Sequence, residues 1–165
     1  METLLALALT MGTTPALATD WQVHDVTDRP RGTIGIGVTA SGVLQDGSRK
    51  FTANLIVNCS DSTTAVFVES GGLSVKQNAT VSFTLDRGSA QSGEEWRPCK
   101  GGDCIGLWNE PGIAFAQSLF DKAALKMLIA RKYDDQVEAN FEITGARTAL
   151  QPVSEKCGWP DIKTR

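Results

Sequence analysis

Of the 165 residues only one is a histidine, His24, and four are cysteines, Cys59, Cys99, Cys104 and Cys157. So little His leaves no material for a His-rich metal centre, and any Ser-His-Asp or Cys-His catalyst would have to use His24 itself. Charge of neither sign dominates: 16 Lys and Arg stand against 19 Asp and Glu, for a net charge of -3. No long basic block occurs, so the chain lacks the electrostatic footprint of a nucleic-acid binder. No apolar run reaches the roughly 18 residues that a bilayer-spanning helix needs. Neither a phosphate-binding P-loop nor a G-x-S-x-G nucleophile elbow is present. What remains is an ordinary globular composition, 41% hydrophobic and 21% charged. That is enough apolar material to build one core, which excludes disorder of the whole chain.

The chain opens on the apolar stretch Leu4-Leu-Ala-Leu-Ala-Leu-Thr-Met11, broken by Gly12 and Pro15 and followed by Ala16-Leu-Ala18. Small residues at the last and third-last positions suit a signal-peptidase pocket, so residues 1–18 read as a secretory signal peptide cut after Ala18. The segment carries Glu2 where Lys or Arg is usual. Residues 19–165 then form a single mature domain. Four cysteines behind a signal peptide imply disulfides in an oxidising compartment, with three connectivities possible. Cys99-Lys-Gly-Gly-Asp-Cys104 is a tight loop whose glycines let it close. Cys59 would then pair with Cys157. Only one pair is close in sequence, which is the wrong spacing for structural zinc.

Strand patterns fill the mature part. Residues 33–38 are β-rich but contain Gly35 and Gly37, as in a bulged or edge strand. Residues 51–59 place Phe51, Ala53, Leu55 and Val57 on one face, residues 64–69 hold Ala65-Val-Phe-Val68, and residues 80–85 alternate Val81, Phe83 and Leu85. Asp61-Ser-Thr63 reads as a hairpin turn. Residues 86–112 read as a long loop region stapled by a local disulfide, with room for short strands and with Trp96 and Trp108 embedded. A helix is expected over about 113–122 and a strand over 125–132. Tyr133-Asp-Asp135 would join it to a second strand with Val137, Ala139, Phe141 and Ile143 on one face. A short helix after Gly145 is limited by Pro152. The expected fold is α+β and mainly antiparallel β, sandwich or barrel-like, with one or two short helices and disulfide bonds.

Gly35-Ile-Gly-Val-Thr-Ala40 fits the loose dinucleotide pattern. The turn-like Ser41-Gly-Val-Leu-Gln-Asp-Gly47 after it provides no helix to face a pyrophosphate, so the match is discounted. Glu94 and Glu95 are adjacent, and in a strand would face opposite sides. Asp134 and Asp135 fall at a turn tip, where acidic residues form turns. Solvated loop charge accounts for both pairs better than a glycosidase dyad does. The candidate binding residues are Asp86 and Arg87 after a strand, together with whichever of Trp96 and Trp108 is exposed, because Trp and Arg dominate recognition hot spots. Core packing of at least one of the two tryptophans is expected. No catalytic set, metal site or cofactor site is assigned.

An ordered set of landmarks runs along the chain: Trp21, Leu55-Ile-Val-Asn-Cys59, Ala65-Val-Phe-Val68, Val81-Ser-Phe-Thr-Leu-Asp-Arg87, Trp96, Phe115-Ala-Gln-Ser-Leu119, Val137-Glu-Ala-Asn-Phe141, Gly145, Ala149, Val153 and Cys157-Gly-Trp159. This order resembles the VasI/TagO family of proteins associated with bacterial type VI secretion. The resemblance covers most of residues 19–165 and is strongest over 51–159. It implies a periplasmic or secreted β-rich domain with a non-catalytic accessory or binding role toward an envelope protein or cell-wall component. It also places Cys59 and Cys157 at the family's two cysteine landmarks, which supports their pairing. Cys99 and Cys104 look like an addition, and Arg131-Lys-Tyr133 replaces the more usual Pro-Tyr. An envelope glycan hydrolase and a small secreted inhibitor or effector-like protein are the alternative readings.

Overall fold

The computed structural model describes residues 21–28, 33–75, 79–93, 96–132 and 135–160. The signal peptide expected at 1–18, Glu94, Glu95, and the turn residues Tyr133 and Asp134 lie outside the described residues. In chain order the elements are β1 (Gln22–Asp28), β2 (Thr33–Asp46), β3 (Arg49–Ser60), β4 (Thr63–Glu69), β5 (Thr80–Leu85), β6 (Gln91–Gly93), β7 (Arg97–Pro98), β8 (Cys104–Trp108), α1 (Asn109–Ser118), β9 (Ala124–Lys132), β10 (Asp135–Glu142), α2 (Ala146–Ala149) and α3 (Gln151–Cys157). The architecture is α+β and mainly antiparallel β, a sheet curled into a half-barrel with a few short helices.

The strands form one sheet in the order β6-β5-β9-β10-β2-β3-β4-β8-β7, with β1 added on β2. The long strand β2 makes this possible. Residues 33–39 of β2 pair with β1, and residues 42–45 pair with β10 on the same side. β3 lines the other side over residues 49–59. Laid flat, the nine strands from β6 to β7 would spread over roughly 38 Å at the usual strand spacing. Only residues 94–96 separate the end of β6 from the start of β7, a reach of at most about 14 Å. The sheet therefore has to curl until its two edges approach.

Alternation sets what the curl encloses. Ala53, Leu55, Val57 and Cys59 of β3 are buried, while the residues between them are only half-buried. Val66 and Val68, Val81 and Phe83, Ile105 and Leu107, Met127 and Ile129, and Val137 and Ala139 extend the same inner face across the sheet. α1 closes the open side with Phe115, Ala116 and Leu119, and α2 and α3 add Ala146, Leu150 and Val153. The Trp21 indole donates to the Thr144 carbonyl at 3.1 Å, and Gln117 Nε2 donates to the Pro160 carbonyl at 2.9 Å. Both ends of the described chain are thereby fastened to the body.

Several expectations shift. Residues 41–47 are not a turn: β2 runs on through Gly42, and the turn comes at Gly47. A Cβ on Gly42 would collide with the Asn140 carbonyl and the Phe141 ring, so glycine there serves close strand approach. The helix begins at Asn109 and ends at Ser118, four residues earlier than expected. The short strands allowed for within 86–112 are β6, β7 and β8. β1 was not anticipated at all. The Asp61–Ser62 turn is as expected, with φ of 50° and 60°, the doubly left-handed form that suits a two-residue hairpin.

Cys59 pairs with Cys157 and Cys99 with Cys104, at Cα separations of 5.7 and 5.2 Å. The first bridge ties β3 to α3. The second closes the loop between β7 and β8. No cysteine is free.

Candidate functional site

The four candidate binding residues are not gathered into one surface. Asp86 is a structural cap: its Oδ1 accepts from the Ala123 and Ala124 amides at 2.8 and 3.0 Å, and its own amide donates to the Ala124 carbonyl. Those bonds, the Ala124 one first, hold its carboxyl below the ordinary aspartate range. They also pin the end of β5 to the start of β9, which gives the Oδ1 atom a structural role. Arg87, next to it, is exposed and makes no ion pair among the described residues.

The two tryptophans take opposite roles. Trp96 is 2% exposed and packs edge-to-face on Phe115, which packs in turn on Phe83. Trp96 is thus the tryptophan that packs in the core, as expected of at least one of the pair, and it does not share a surface with Trp108. The curl of the sheet carries residue 96 over the core, where a ring of that size fills the gap between β5 and α1. Trp108 ends β8 with its ring on the outer face, half-buried, edge-to-face on Phe67 with centroids 5.5 Å apart.

Register explains the outer patch. Antiparallel partners share a face, so His24, Gly37, Asn58, Ala65 and Trp108 lie in one row across β1, β2, β3, β4 and β8. The next row carries Ile56, Phe67, Gly106 and Arg97. Gly106 leaves room for its neighbour: a Cβ there would stand 2.6 Å from the Phe67 ring. Phe67 thus leans over Gly106 between Trp108 and Arg97. Arg97 is exposed and has no ion-pair partner among the described residues. Two aromatic rings, an isoleucine and a guanidinium with no ion-pair partner among the described residues therefore share one face. Sequence alternation carries a signal for Phe67 and Ile56, since they occupy the non-core positions of strongly apolar strands.

His24 sits on edge strand β1 over Gly37, whose Cβ would lie 2.6 Å from the imidazole Nε2. No hydrogen bond from His24 to another side chain occurs among the described residues, and the Gly35–Gly37 segment is plain strand with no helix after it. Among the described residues there is no cluster of His, Cys, Asp or Glu able to hold a metal, and no helix long and apolar enough to cross a membrane. A separate ionic cluster lies at the far end of β9. Arg131, 11% exposed, donates to Asp46 and Asp135 and to the carbonyls of Gly72 and Leu73. It anchors the loop after β4.

Comparisons with protein families, with curated proteins and with solved structures find no match.

Proposed function

We propose that this chain is an exported, disulfide-stapled binding module of the bacterial envelope, periplasmic or secreted, with a non-catalytic accessory role of the kind the VasI/TagO resemblance implies. Its partner in this reading is an envelope protein or a cell-wall component. The observation that carries the proposal is the Trp108–Phe67 pair on the outer face, with Ile56 and the exposed Arg97 beside it. Aromatic rings and arginine are the residue types that anchor recognition surfaces. The two disulfides support the compartment, because they form and persist outside reducing cytosol.

The test is co-sedimentation with purified sacculi, alongside site-specific crosslinking from Phe67 in envelope membranes. Wild-type and Arg87→Ala proteins should bind alike, while Trp108→Ala and Arg97→Ala should lose at least tenfold in affinity. Equal binding by all four would remove this face from the account. Intact mass of the exported protein should begin at Thr19 with no alkylatable thiol before reduction.

A further inference from the structure

A second surface, distinct from the Trp108 face, has the form of a slot. A groove of about 490 Å³ runs between β6 and α1. One wall is β6 itself. The other is the α1 face carrying Pro111, Ala114 and Ser118, which recur at helical spacing and stand low. Phe83, Phe115 and Trp96 line it more deeply, and none of the described residues lining it is charged.

Two observations bear on what fits there. β6 ends the strand order, paired to β5 alone, and no backbone group of Gln91, Ser92 or Gly93 bonds elsewhere among the described residues. Alternate residues of an antiparallel strand turn their N–H and C=O away from the partner, so this edge offers a donor and an acceptor to another strand. The second observation is independent. The Trp96 indole nitrogen is buried with no acceptor among the described residues, although native folds rarely leave such a donor unpaired. It lies against the groove wall: a Cβ on Gly93 would stand 2.7 Å from it.

We infer that the groove between β6 and α1 receives an extended, uncharged peptide segment of a partner protein. The segment adds to the free edge of β6 as a strand, lays alternate apolar side chains over Phe83 and Phe115, and supplies the acceptor that Trp96 Nε1 lacks. A strand edge beside a low helix wall suits a main chain better than a compact ligand, because the backbone supplies affinity while the pockets read every second side chain. The inference uses neither Trp108 nor Arg97.

The experiment pans a random dodecapeptide display library against the oxidised protein. Enriched sequences should carry apolar residues at alternate positions. A synthetic hit should shift the Trp96 indole N–H resonance and the amides of Gln91 and Ser92 in nitrogen-15 spectra, with the Trp108 indole unmoved. Ala114→Trp fills the groove from an exposed position and should weaken binding at least tenfold, whereas Trp108→Ala should not change it. N-methylation of the hit at alternate amides gives a readout that needs no variant to fold: one set should abolish binding and the other leave it intact. Absence of an alternating pattern, equal tolerance of both N-methyl sets, or shifts confined to Trp108 would each overturn the proposal.

Discussion

The indole nitrogen of Trp159 donates to the Thr64 hydroxyl at 2.6 Å, a buried bond between residues 95 positions apart. Thr64 is 1% exposed and Trp159 8%. Two residues before Trp159, Cys157 bonds to Cys59, whose strand partner is Thr64. The C-terminal helix is thus held against β3 and β4 by a covalent link and a hydrogen bond side by side. Thr64→Val keeps the shape but orphans the indole, and should cost about 1–3 kcal/mol. Thr64→Ser should recover most of it. Urea unfolding of the oxidised proteins measures both.

The two disulfides should differ in what they contribute. Cys59 and Cys157 are 98 positions apart, Cys99 and Cys104 only five. In the chain-entropy view, removing the long-range bridge costs on the order of 4–5 kcal/mol and removing the short one about 2 kcal/mol. Paired Cys→Ala variants, compared by denaturant midpoint, test the order. Equal losses would show that strain or residual structure in the unfolded chain governs instead.

Asp86 gives a pH dependence whose sign follows from its bonds. Amides from Ala124 and Ala123 favour the charged carboxylate, so its folded pKa lies below the unfolded value near 3.8. Stability from this group is complete above the unfolded pKa and is lost as pH falls through the folded one. Asp86→Asn should therefore lower the unfolding midpoint at pH 6, and the gap to wild type should narrow steadily below pH 4. A constant gap down to pH 2 would mean that shape, not charge, makes the cap.

Arg131 should behave as a clamp. It reaches two carboxylates and two carbonyls from a nearly buried position. Arg131→Met removes those charge-assisted bonds and should cost on the order of 2–3 kcal/mol. Arg131→Lys should not restore it, since an ammonium lacks the planar fork. Hydrogen exchange should show faster amides at Leu73 and Val75 in both variants, with β3 unchanged.

Much of the fold could be read from alternation alone. Leu55, Val57 and Cys59, and Val137, Ala139 and Phe141, announce their strands because a half-buried strand repeats every two residues. β1 escaped because Gln22, His24 and Asp25 are polar and Val23 stays 55% exposed: an edge strand with little to bury leaves no apolar pattern. Gly42 misled for a related reason. A glycine looks like a turn until the strand crossing it is known. The helix expected at 113–122 ends at Ser118 instead, because Ala124 is already paired with Glu142 in the sheet and its amide is held by Asp86.

Of the candidate site, the sequence by itself determined which residue types could recognise a partner and which cysteines could close a short loop. Both are local properties of composition and spacing. Which tryptophan faces out was decided only by the tertiary structure. Trp96 stands among Glu94, Glu95 and Arg97, and Trp108 follows Ile105 and Leu107, so local sequence points the opposite way from the burial observed. The curl that brings β6 within three residues of β7 carries Trp96 onto Phe115, while the register of β8 on β4 turns Trp108 to Phe67. Burial of an aromatic ring depends on which distant strands meet around it, and that is settled by packing across the whole sheet.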